Sequence, residues 1–205
     1  MLRPRPTPEQ PERQRILMAA AIVLDRTRHR SLKVRQVLSL AEVSAHVFYR
    51  HFPARTDLML ALLDDASHEA VASIEAAIAA ERTSADRLAA WVRRCTAMAF
   101  DDDGHGHLRL LTDADLLRDS PAEAARLVRR VIPPLEAVLV AGATDGSFAT
   151  IDPAGDAEAL FLHLTGHLGS IRLGLHRRAE HEAAADVLGH ARRLLGVPPA
   201  EPVAC

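Results

Sequence analysis

The chain has 205 residues, 48% hydrophobic and 25% charged, with 25 Lys and Arg against 27 Asp and Glu for a formal charge of −2. That is enough apolar material for one large or two small cores; it argues against a disordered or collagen-like chain and excludes a uniformly basic nucleic-acid coat protein. Aromatics make up 3% of the chain while Ala, Leu and Arg dominate, so an all-α protein is expected, because strands draw on β-branched and aromatic residues.

Taken in chain order, the first helix is expected from near Pro11 to about Arg28, with Ile16, Leu17, Ala20, Ala21 and Leu24 at helical spacing behind prolines at 4, 6, 8 and 11. A second, short pattern follows with Val34, Val37, Leu38 and Ala41, and a third with Val47, Phe48 and Phe52. Between them lies Glu42-Val43-Ser44, a tight turn whose serine can cap the third helix by accepting from a free backbone N–H. Pro53 ends that helix, and Asp57 opens a long pattern through Leu58, Leu62, Leu63, Ala66, Val71, Ile74 and Ile78 to about Ala80. Helical regions are then expected over Ser84 to Phe100, Leu108 to Arg118 and Pro121 to Ala141, with the glycines and acids of 101–107 as a loop. Pro133-Pro134 predicts a kink or break inside the last of these. Gly142 to Gly146 reads as a further loop, followed by helices over about Pro153 to Arg178 and Glu182 to Leu195 and a polar tail from Pro198.

The charge is unevenly spread. Met1 to Leu60 holds 11 basic and 5 acidic residues, a net +6, which leaves −8 for the remainder. A basic first third joined to an acidic body suits a module that faces a polyanion, although a solvated charged face gives the same arithmetic. Cys95 and Cys205 show no paired spacing, which argues against a disulfide framework. The charged, proline-rich start has no apolar signal region, and no apolar run approaches the ~18 residues of a membrane span. A cytoplasmic protein with no membrane partner is expected.

Two short helices around a turn, packed on a first helix, describe a helix-turn-helix, whose second helix fits the DNA major groove. The second helix here would be Ser44 to His51, with Val47, Phe48 and Phe52 unable to share one outward face and Ala45, His46, Tyr49 and Arg50 on the other side.

These residues resemble the TetR-type (tetracycline-repressor-like) transcriptional regulators. The likeness runs through Ile16-Leu17-Met18-Ala19-Ala20, Val34 to Ser44, Phe48-Tyr49-Arg50-His51-Phe52 and Arg55-Thr56-Asp57-Leu58, about the first quarter of the chain. The resemblance implies a helix-turn-helix DNA-binding domain over 1–56 and a helical effector-binding and dimerisation domain over 57–205. It places Arg35, Ala45, His46 and Val47 towards bases and Tyr49, Arg50, His51 and Arg55 against phosphates, with Lys33, Val34 and Ser44 completing the surface. An Arg fork matches guanine O6 and N7, and a Tyr hydroxyl donates to a phosphate oxygen. Tyr49 and His51 can equally be read as caps on a small core. Three departures stand out: Glu42 takes the place of the usual turn glycine, Lys33 that of a Thr cap, and His46 that of a common glycine.

Because one short helix touches few base pairs, such proteins read two half-sites as a two-fold dimer. The candidate interface is Leu160, Leu164, His167, Leu168, Ile171 and Leu175 with Val187, Leu188, Ala191 and Leu194, stripes that would also serve an intramolecular core. By resemblance, the body between Ser84 and Ala141 admits an effector, with Trp91, Cys95, Met98, Phe100, Leu110, Leu135 and Phe161 as candidate lining or as plain core. Few aromatics favour an aliphatic or flexible hydrophobic effector over a flat one. His163 and His167, four apart, and the acids and histidines of 101–107 have metal-ligand chemistry, yet without an HExxH glutamate or a cysteine set. No nucleophile elbow or phosphate-cradling glycine loop is present, so no enzymatic activity and no cofactor are expected. The expected function is a homodimeric repressor on a palindromic operator, released by a small molecule. The alternative is a helical ligand carrier or small enzyme whose head no longer binds DNA.

Overall fold

A computed structural model describes residues 6–27, 32–100, 118–149 and 152–197. Among them, every regular element is helical. They fall into two compact units, one taking the described residues up to Glu69 together with those from 118 to Arg129, the other taking Ala70–Phe100 and the described residues from Arg130 onwards. The first unit therefore reaches beyond residue 56, where the sequence places the domain boundary.

In the first unit, α1 (Glu12–Arg26) presents Ile16, Leu17, Ala19, Ala20, Val23 and Leu24 to a core completed by Val37, Ala41, Phe48, Phe52, Leu58, Met59, Leu62 and Leu63. α2 (Val34–Ala41) starts at Lys33 with no side-chain cap bond and ends at Glu42, whose φ of 54° and ψ of 48° are left-handed. The turn that glycine would suit is thus made by a glutamate held in that conformation, and the Val43 amide closes it by donating to the Leu38 carbonyl at 3.2 Å. α3 (Ala45–His51) begins as the sequence expects, Ser44 Oγ accepting from the Val47 amide at 3.2 Å. α4 (Arg55–Ala79) is started by Asp57, whose carboxylate accepts from the Ala54 amide at 2.8 Å. α6 (Pro121–Val128) adds Ala124 and Leu127 to this core.

In the second unit, α5 (Ser84–Phe100) packs against α7 (Ile132–Asp145) and α9 (Glu180–Leu194), and α8 (Pro153–Arg172) packs on both of those helices. Ser84 Oγ donates to Asp145 at 2.6 Å, tying the start of α5 to the end of α7. Asp152 caps α8 by accepting from the Gly155 amide at 3.1 Å.

Three expectations are corrected. The break in the region from Pro121 lies before Pro133-Pro134, in a 3-10 turn over Arg129–Val131. The prolines occupy the first turn of α7, where the missing N–H has no helical partner to lose. Gly142 is not in a loop: α7 continues to Asp145, and left-handed Gly146, φ 78°, ends it. Gly142 is small for packing, since a Cβ there would overlap the Phe148 ring. α8 stops at Arg172, and left-handed Gly174, φ 73°, turns the chain instead of the helix reaching Arg178. The helix expected over Leu108 to Arg118 and the 101–107 loop lie outside the described residues.

Candidate nucleic-acid interface

The recognition-type helix α3 owes its orientation to what it hides. Phe48 is fully buried and Phe52 nearly so, and the Phe48 ring meets Tyr49 edge-on with centroids 5.2 Å apart. With Phe48 fixed inward, the 100° step of a helix puts His46 and Tyr49 outward, while Ala45, three residues before Phe48, is exposed at the first position of the helix. All three are exposed, Tyr49 at 52%. Val47 is half-buried and Ser44 is spent on its cap.

On α2, Lys33 and Arg35 are exposed and Val34 is half-buried. Arg35 borders an open concavity of about 550 Å³ together with Val23, Arg26, Thr27, Gln36, Ser39 and Leu40. Arg26 was not singled out from the sequence. Its place in the last turn of α1 beside an Arg of α2 needs the tertiary packing of the two helices to be seen.

Arg50 and His51 are placed differently from the other outward residues. Both turn to Glu12 at the start of α1: a guanidinium N–H of Arg50 donates to Glu12 Oε2, and His51 Nε2 lies 3.0 Å from the same oxygen. A carboxylate only accepts, so the proton of that bond sits on Nε2. The His51 hydrogen bond first, and Arg50 after it, hold the Glu12 carboxyl below its ordinary range. Arg55 is half-buried at the first residue of α4.

Within the second unit, the candidate lining separates into two groups. Trp91, Leu135, Cys95 and Phe161 are packed core, and the Trp91 indole N–H is used by the Val131 carbonyl at 2.9 Å. Burial pushes the Cys95 thiol far up, so it stays protonated and unreactive. Met98 and Phe100 are half-buried at the end of α5, and Leu110 lies outside the described residues. The Thr96 hydroxyl, fully buried, has no hydrogen-bond partner among the described residues.

The candidate dimer stripe also divides. Leu160, Leu164, Leu168, Val187 and Ala191 are buried inside their own chain, so the surface they hide is not available to a second copy. His167, Ile171 and Leu188 are half-buried, while Leu175 at 73% and Leu194 at 43% face solvent, joined by Leu162 at 56% and Leu173 at 78%, which the sequence reading passed over.

His163 and His167 meet two further histidines. The His163 ring stacks on His190 at 3.9 Å between centroids and lies 6.2 Å from His167, which is 5.4 Å from His176. Asp186 stands 3.6 Å from His167 Nε2 and accepts from Arg178 at 2.9 Å. No group of three or more His, Cys, Asp or Glu among the described residues is arranged to hold a metal ion.

No protein-family model and no curated protein matches the sequence. Solved structures do match in fold. RolR, crystallised with its ligand resorcinol, superposes with a TM-score of 0.69 at 19% identity, over 93% of this chain and 90% of that one. FadR from Bacillus subtilis, in complex with stearoyl-CoA, gives 0.67 at 18% identity over 86% and 95%. A regulatory protein of the TetR family from Rhodococcus RHA1 gives 0.63 at 22% identity over 93% and 100%. At these identities the likeness establishes the fold, which is that of the TetR-type regulators, along nearly the whole chain.

Proposed function

We propose that this chain is a ligand-responsive transcriptional regulator, a homodimeric repressor that binds a palindromic DNA operator and leaves it when a small molecule occupies its helical body. The observation that carries this reading is the outward side of α3. Ala45, His46 and Tyr49 stand exposed, as do Lys33 and Arg35 at the start of α2, on a segment whose net charge is +6, in a fold shared with transcriptional regulators. Arg35 would read a guanine edge, His46 would donate or accept in the groove, and Tyr49 would hold a phosphate.

A second copy would supply the second half-site. Its contact would use the exposed Leu162, Leu173, Leu175 and Leu194 rather than the buried stripe, with Gly166 and Gly169 of α8 open enough for close approach. The bound resorcinol and stearoyl-CoA of the similar proteins favour a small organic effector in the second unit. Such an effector releases DNA only to the extent that it binds the non-binding conformation better. Among the described residues, no helix is long and apolar enough to cross a membrane. On this reading the protein meets DNA in the cytoplasm and performs no catalysis.

The reading is tested by fluorescence anisotropy with tiled duplexes from the DNA flanking the gene, at two salt concentrations and with non-specific competitor. A saturable, salt-steep site that survives competitor is the expected result. Turnover or tight ligand binding without any DNA affinity would instead establish the ligand carrier or small enzyme.

A further inference from the structure

Two basic side chains in the last turn of the recognition-type helix end on one carboxylate oxygen of another helix, and this reassigns which residues of α3 remain for DNA. α3 is seven residues long, about 10 Å at the rise of an α-helix. Its apolar anchors, Phe48 and Phe52, lie on one side and leave rotation about the helix axis resisted only by packing. Among the described residues, the side-chain hydrogen bonds that leave α3 both reach Glu12 Oε2, from Arg50 and from His51 Nε2 at 3.0 Å. Glu12 belongs to the first turn of α1, where the positive end of the helix favours its charge. Arg50 belongs to the last turn of α3, where the negative end favours its charge, and His51 follows it. The pair of contacts spans residues 38 and 39 apart in sequence, so it locks two helices rather than one turn. Arg13, next to Glu12, reinforces the same corner with its guanidinium 5.4 Å from the Phe52 ring centroid.

We propose that Glu12 is a positioning residue for DNA recognition: by holding Arg50 and His51 it sets the rotation of α3 that presents Ala45, His46 and Tyr49, and these two side chains serve that clamp rather than contacting phosphates. The inference rests on the DNA-binding reading above and sharpens it. A base contact tolerates only a few tenths of an ångström and about 10–20° of misalignment, so a clamp that touches no DNA changes specific binding and leaves non-specific binding alone. Phosphate contacts behave in the opposite way, because each adds to the salt slope for every sequence.

The experiment compares full-length wild type, Glu12→Ala, Glu12→Gln, Arg50→Ala and the Glu12→Ala/Arg50→Ala double variant. Each is titrated by anisotropy against the specific duplex and against a scrambled duplex over a salt series, with the active fraction fixed by stoichiometric titration. Glu12→Ala is expected to weaken specific binding about five-fold, Arg50→Ala by a similar factor, and the double variant no further than either, since the partners share one interaction. The scrambled-duplex affinity and the salt slope stay at wild-type values. Glu12→Gln, which keeps an acceptor oxygen in place, restores most of the loss. A smaller active fraction with unchanged affinity would mean that the contact only supports folding and would overturn the proposal. Tighter binding with a steeper slope in Glu12→Ala would overturn it too, by showing the carboxylate competing with a phosphate for Arg50 and His51. Absence of competitor-resistant binding in wild type removes the DNA-binding reading itself, a result separate from any effect of Glu12.

Discussion

Arg35 on α2 and Tyr49 on α3 are both exposed and offer different chemistry, and the difference is measurable. Arg35 can make a charged, two-pronged contact to a base edge, so Arg35→Ala is expected to lose ~1–3 kcal/mol at its own base pair and to relax preference there, as read by competition with single-substituted duplexes. Tyr49 offers one neutral hydroxyl; Tyr49→Phe is expected to cost ~1 kcal/mol on every sequence with the salt slope unchanged. A loss confined to one base pair in Tyr49→Phe would place the ring in the groove instead. Glu42 stores strain where the fold wants a glycine, with φ at 54°. Glu42→Gly is expected to raise stability by ~0.5–1 kcal/mol in urea unfolding, the relief of left-handed backbone exceeding the extra freedom of the unfolded chain.

The short helices near the start were legible because the sequence punctuates them: Ser44 caps α3, Pro53 follows its last turn, and Asp57 accepts from the amide before α4. α7 was misread because Gly142 sits among residues typical of loops, whereas its purpose is distant in space, the Phe148 ring. Gly142→Ala tests that assignment. On a bare helix the change would stabilise by ~1 kcal/mol, but here overlap with a buried ring is expected to reverse the sign and cost ~1–3 kcal/mol in the same urea experiment. The candidate interface on α3 was legible from helical period for His46 and Tyr49, whereas Ala45, on the Phe48 side by that period, is exposed at the first position of the helix. Glu12 was not, since nothing local ties it to Arg50 and His51, and neither was the fate of the α8 stripe. A period shows that Leu160, Leu164 and Leu168 share a face. Only packing shows that the face is covered by the chain's own helices.

At the scale of the molecule, His163 on α8 makes stability depend on pH. Burial, then His190, His167 and Arg193, hold His163 below its ordinary 6.5. The folded state thus binds fewer protons than the unfolded state, and the stabilisation is complete above 6.5 and lost as pH falls through the lowered folded value. The melting temperature of wild type is expected to drop more than that of His163→Asn between about pH 7.5 and pH 5.5. Equal drops would mean that other groups govern the acid side.

The claim on which the account turns is that the outward side of α3, from two copies of the chain, reads DNA. Hydroxyl-radical footprinting of the protein on its own flanking DNA tests it most directly. Two symmetric protected segments are expected, centred one helical turn of about 10 base pairs or a whole multiple apart, and both should vanish together in a variant carrying Ala45→Asp and His46→Asp. A single unsymmetric footprint, or protection that persists in that variant, would contradict the account.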